Sequence, residues 1–133
     1  AELSRCNQAL ITQENFQVLI EAGANAYDVG HAMSALDRAN PVLLTSKNRL
    51  ALLNHYGMGS VLSTLARSDR ALITQKNFEA LISLGTNAYE VGYGFSILSR
   101  AKPKLLTQEN FDLLVQAGPN ALEVAQKIID TNH

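Results

Sequence analysis

Residues 72–107 read "LITQKNFEALISLGTNAYEVGYGFSILSRAKPKLLT", and the spacing of threonine, glycine and apolar residues in this stretch decides the fold. Thr74 is a good helix N-cap, because its hydroxyl accepts a backbone N–H bond of the first turn. Phe78, Leu81 and Ile82 follow at i, i+3 and i+4, the spacing of a short amphipathic helix. Gly85 ends that helix, as glycine does at a left-handed C′ position. Asn87 restarts a second helix, which places Val91, Phe95 and Leu98 on one face at i, i+4 and i+7. Pro103 and Thr107 close the unit, which reads as one helical hairpin.

The hairpin recurs along the chain. The phrases that begin at Leu10, Leu43, Leu72 and Leu105 carry threonines at Thr12, Thr45, Thr74 and Thr107, with spacings of 33, 29 and 33. An arginine stands seven residues before each threonine (Arg5, Arg38, Arg67, Arg100) and a leucine nine before (Leu3, Leu36, Leu65, Leu98). Repeats near 10–42, 43–71, 72–104 and 105–133 predict a single all-α domain over 1–133. Its four tandem helical hairpins, about eight short helices, would stack as an α-solenoid or a compact helical bundle. No segment alternates apolar and polar residues as a strand would. Because "LSRCNQALIT" matches "LSRAKPKLLT", the sequence opens inside the end of a repeat, and the chain is expected to be a piece of a longer protein.

Composition narrows the function. Of the 133 residues, 47% are hydrophobic and 17% charged, which fits a globular domain. A net charge of −1 argues against a nucleic-acid partner, which usually leaves a basic face. The apolar runs are far shorter than the roughly 20 residues a membrane helix needs, and no signal peptide is visible. Cys6 is the only cysteine, so no internal disulfide can form and a reducing compartment is the simpler setting. His31, His55 and His133 have no metal-ligand spacing. His31 and His55 near Ser60 are the only acid–base candidates, and no nucleophile–base order or carboxylate pair accompanies them, so the chain is expected not to be an enzyme.

Repeat two breaks the pattern. It is shorter by 33 − 29 = 4 residues, close to the 3.6 of one helical turn, so its buried face stays in register. Ala32, Met33 and Leu36 correspond to Val61, Leu62 and Leu65, and to Gly94, Phe95 and Leu98. The loss therefore falls at the start of the second helix, where "NHYGMGS" (54–60) stands. Repeats one and three share 13 of 21 residues over Asn25–Thr45 and Asn87–Thr107, so Tyr27 and His31 should face as Tyr89 and Tyr93 do. The expected result is a notch about one turn (roughly 5 Å) deep. Its walls would be Tyr27, His31, Tyr89 and Tyr93. Its floor would be Gly57, Met58, Gly59 and Ser60, a helix N-terminus that favours an anion. Aromatic walls above such a floor suit a flat base joined to a phosphate, with Arg67 or Lys47 to neutralise it.

Plainer readings stand beside this one. A solenoid tyrosine commonly lies half-buried between repeats with its hydroxyl wet. Close helix packing explains Gly30 and Gly92 as well as ligand approach does. The repeated arginines fit the dipole at helix C-termini, and Asp28 and Glu90 fit the first turn of a helix.

The repeated "LLTQENF…AG.NA" phrase resembles helical repeats of secreted effectors of Legionella-type intracellular bacteria. Among these the chain looks like a KLAMP-like domain, a small all-helical module. That resemblance implies an adenine-nucleotide-binding module (cyclic AMP or ADP) in which tyrosine rings stack on adenine. It also implies a virulence effector delivered into the host-cell cytoplasm. Candidate nucleotide-binding residues are then Tyr27, His31, Tyr56, Gly57, Gly59, Ser60, Tyr89 and Tyr93. The nucleotide would be a ligand, with no cofactor, no metal, no membrane and a monomeric state expected. The alternative is a protein–protein interaction scaffold that holds a host protein on the same face.

Overall fold

The computed structural model describes residues 23–55 and 57–132. Among them the chain forms α-helices and 3₁₀ turns with no strand, an all-α fold. The helices are α1 (Ala26–Ala39), α2 (Ser46–Leu53), α3 (Met58–Ser68), α4 (Gln75–Ser83), α5 (Ala88–Ala101), α6 (Gln108–Ala117) and α7 (Ala121–Thr131). The helix expected after Thr12, together with Arg5, Cys6, Tyr56 and His133, lies outside the described residues.

Thr45, Thr74 and Thr107 cap α2, α4 and α6, accepting from the backbone N–H of Asn48, Asn77 and Asn110. Gly23, Gly85 and Gly118 all take positive φ (58°, 59° and 54°), the left-handed turn that lets the chain double back. Asn25, Asn87 and Asn120 make no side-chain cap bond. The second helices do restart directly after these asparagines, as expected, and a 3₁₀ turn at Gly23–Asn25, Gly85–Asn87 and Gly118–Asn120 feeds each of them. Pro41 and Pro103 open further 3₁₀ turns between hairpins.

The long second helices pack in chain order, α1 on α3, α3 on α5 and α5 on α7. Their contact faces carry Met33, Leu36, Leu62, Leu65, Phe95 and Leu98, each no more than 1% exposed. Phe95 stacks on Phe111 of α6, centroids 5.1 Å apart, which ties the short-helix layer to the long one. Val61, Leu62 and Leu65 are buried like their counterparts in the longer repeats, as loss of a whole turn requires.

The short helices are joined by a polar ladder that the sequence pattern did not reveal. Asn48 Nδ2 donates to the Leu43 carbonyl (2.7 Å) and exchanges two hydrogen bonds with the Gln75 amide. Asn77 repeats the arrangement with the Leu72 carbonyl and Gln108. Both asparagines are almost wholly buried, so each amide group must be satisfied inside the protein. No described helix is long and apolar enough to cross a membrane.

Replacing Asn77 by Ala removes both ladder bonds and leaves the Leu72 carbonyl with the Thr74 N–H as its donor. Urea unfolding is expected to show a loss of about 2 to 4 kcal/mol, and Gln108→Ala, on the exposed side of the same pair, about 1 kcal/mol.

Candidate functional site

The site is set by a length mismatch. α1 and α5 have 14 residues each and α3 has 11, a difference of 14 − 11 = 3, about one turn. Among the described residues no 3₁₀ turn leads into α3. It starts instead at Gly57, whose φ of 88° a side chain rarely tolerates. The neighbouring helices lie close on either side. A Cβ on Gly92 would stand 2.4 Å from Val61 Cγ2, and one on Gly59 would stand 2.7 Å from the Asp28 carbonyl oxygen. Close packing, rather than ligand approach, accounts for Gly92 and Gly59.

The tyrosines stand outside that packing. Tyr27 and Tyr89 are about two-thirds exposed (67% and 68%), and Tyr93 is 50% exposed. Of these three, only Tyr93 fits the half-buried expectation for a solenoid tyrosine. Tyr27 stacks on His31 along α1, ring centroids 5.6 Å apart and planes 17° from parallel.

The four aromatic walls do not enclose one pocket; α3 divides them. Tyr27 and His31 line a groove of about 310 Å³ between α1 and α3, with Asp28, Ser60, Ser63 and Arg67. Tyr89 and Tyr93 line a groove of about 240 Å³ between α3 and α5, with Gly57, Ser60, Ser96 and Arg100. Ser60 borders both. A third cavity of about 500 Å³ at the head of α5 is lined by Asn54, His55, Gly57, Gly85, Thr86 and Tyr89. Tyr56 lies outside the described residues.

The expected anion floor is already filled. The Asp28 carboxylate accepts from the Gly57 N–H through Oδ2 and from the Gly59 N–H through Oδ1, both at 3.1 Å. The physical reason is the missing turn. It brings the free N-terminus of α3 level with the first turn of α1, where Asp28 sits, and a carboxylate there meets both the N–H groups and the positive end of the dipole. Asp28 is thus an inter-helix cap, more than the first-turn carboxylate its position predicted. The Gly57 and Gly59 N–H groups are closed to a phosphate while that carboxylate is seated.

Lys47 also departs from its expected role. It lies on α2 and pairs with Glu79 of α4 at 3.8 Å, and it lines neither groove. Arg67 lines the α1–α3 groove and Arg100 the α3–α5 groove. Both occupy the last turn of their helices, as the dipole reading expected. The sequence reading passed over Ser63 and Ser96, although Ser34, Ser63 and Ser96 stand eleven residues before successive threonines and so mark one repeated position. Ser63 Oγ is buried with no hydrogen-bond partner among the described residues. No group of His, Cys, Asp and Glu that could hold a metal ion occurs among the described residues.

No family model matches the chain, and no curated protein or solved structure matches it.

Asp28→Ala is expected to lower stability by about 1 to 2 kcal/mol and to speed amide hydrogen exchange at Gly59. Asp28→Asn, which keeps one acceptor, should fall between. Ser63→Ala should leave thermal stability unchanged or raise it, since it removes an unpaired buried hydroxyl; a loss above about 1 kcal/mol would count against the unpaired hydroxyl.

Proposed function

We propose that the chain is a non-catalytic binding module for an adenine nucleotide, with the base held against Tyr89 and Tyr93 in the α3–α5 groove. The supporting observation is the exposure of these two rings, at i and i+4 on α5, beside an open groove that the shortened α3 leaves uncovered. Exposed aromatic rings at a concave surface offer stacking area that solvent does not reward. Base–aromatic stacking contributes roughly 1 to 3 kcal/mol per base, which suits a module of modest affinity. The resemblance to nucleotide-binding effector repeats points the same way. A bacterial effector delivered into a host cell is the setting that goes with it.

A scaffold for a host protein is the second reading. What favours it is the separate α1–α3 groove, where the exposed Tyr27 ring, stacked on His31, would bind a peptide side chain without any contact with Tyr89.

Calorimetric titration with ADP and cyclic AMP tests the first reading. Tyr89→Ala is expected to weaken nucleotide binding about tenfold, within the range for loss of one stacked ring, while Tyr27→Ala leaves it unchanged. Binding that is sensitive to Tyr27 but not Tyr89 would move the site to the α1–α3 groove. No binding of either nucleotide would overturn the reading in favour of the scaffold.

A further inference from the structure

The α3–α5 groove does not stop at the tyrosines. Toward the C-terminal ends of both helices it meets a cavity of about 390 Å³ lined by Thr64, Arg67, Ser68, Ser96, Ser99 and Arg100, with Pro103 at its edge. Ser96 and Arg100 border both this cavity and the tyrosine groove, so the two adjoin along α5.

Two like charges face this cavity. Arg67 and Arg100 are both exposed, and neither makes an ion pair or side-chain hydrogen bond with any described residue. The acid nearest Arg67 in sequence, Asp69, accepts from the Ala71 N–H through Oδ1. Each helix C-terminus contributes only about half a negative charge, roughly −1 for the two, against two full positive charges. The helix dipoles explain why arginine is tolerated there, but they do not neutralise the pair.

Hydroxyls complete the lining. Ser68 Oγ and Ser99 Oγ lie 2.6 Å apart and bridge the two helices. One proton is engaged in that bond and the other remains to donate outward. Thr64 Oγ1 donates to the Ser60 carbonyl, so it offers only acceptor capacity. Ser96 makes no hydrogen bond to a described residue and can donate. Two guanidinium forks with hydroxyl donors between them match the oxygens of a phosphate chain.

We infer that Arg67 and Arg100 form an oxyanion subsite for the terminal phosphates of a nucleoside di- or triphosphate, in preference to a cyclic monophosphate. The anion subsite stands on its own geometry; the nucleoside part rests on the nucleotide reading above. Spacing decides between the ligands. Seven residues separate Tyr93 from Arg100, a rise of about 10 Å along α5. Arg100 borders the tyrosine groove, and Arg67 borders the cavity beyond it but not that groove. A cyclic phosphate closed onto the ribose beside its base therefore meets one guanidinium, whereas a phosphate chain extends to both. With Gly57 and Gly59 taken by Asp28, this end of the groove also offers the phosphates a cationic partner that the other end lacks.

Titration of the whole chain with ADP, cyclic AMP and inorganic pyrophosphate, followed by ¹H–¹⁵N NMR including the arginine Nε signals, tests the inference. Four variants are compared: Arg67→Gln, Arg100→Gln, Tyr89→Ala and Lys47→Gln, with far-UV circular dichroism to check that each keeps its helices. ADP is expected to bind about tenfold or more tightly than cyclic AMP, and each arginine variant to weaken ADP and pyrophosphate by about tenfold or more. Lys47→Gln should change neither, and Tyr89→Ala should weaken ADP while sparing pyrophosphate. Arginine variants that bind pyrophosphate like the unaltered chain, or a chain that binds no pyrophosphate, would overturn the subsite. ADP binding that is lost with Tyr89 but indifferent to both arginines would overturn it while keeping the nucleotide reading. Pyrophosphate binding through the arginines without any nucleotide binding would keep the subsite and remove the nucleoside.

Discussion

Each buried asparagine of the short helices has two obligations. It must satisfy a carbonyl five residues back in its own repeat and a glutamine of the next one. Asn77 meets both, bonding the Leu72 carbonyl and the Gln108 amide. An amide so deep in the protein has no water to fall back on, so the offset between neighbouring repeats is held to whatever lets both bonds form. The same pair at Asn48 and Gln75 applies the same offset one repeat earlier. Irregularity in the chain must then be absorbed elsewhere, and it is absorbed in the long-helix layer.

Loss of a turn from α3 is the irregularity, and the exposed face follows from it. Because the deletion is close to a whole turn, Val61, Leu62 and Leu65 keep their place in the core. The helix is shortened only where it would have covered the first turns of α1 and α5. The aromatic residues of those turns, Tyr27 and Tyr89, are left standing in solvent. One deletion thus preserves packing on one side of a helix and opens two grooves on the other.

The sequence carried the hairpins and the short α3 because threonine caps, glycine turns and apolar spacing are local signals. It also carried which residues border the break. It did not carry the partition of that break into two grooves, since whether Tyr27 and Tyr89 share a pocket depends on the breadth of α3 between them. Nor did it carry the partner of the Gly57 and Gly59 N–H groups. Asp28 is 29 residues from Gly57, and a first-turn aspartate looks the same in sequence whether it serves its own helix or a neighbouring one. The Asn–Gln ladder was hidden for a related reason: a conspicuous "TQ.N" phrase reads as a capped helix start until the next repeat is laid beside it.

Asp28 acts, in effect, as a tethered ligand. Two hydrogen bonds hold its carboxylate at the head of α3, and the chain keeps it there even when those bonds break. For a group on a short connection the effective concentration is on the order of millimolar, and a rigid helix raises it further. A free anion at micromolar level therefore competes against an occupant that never diffuses away. The head of α3 is insulated from stray phosphate, and a ligand gains hold in these grooves only by bringing contacts that the carboxylate cannot rival.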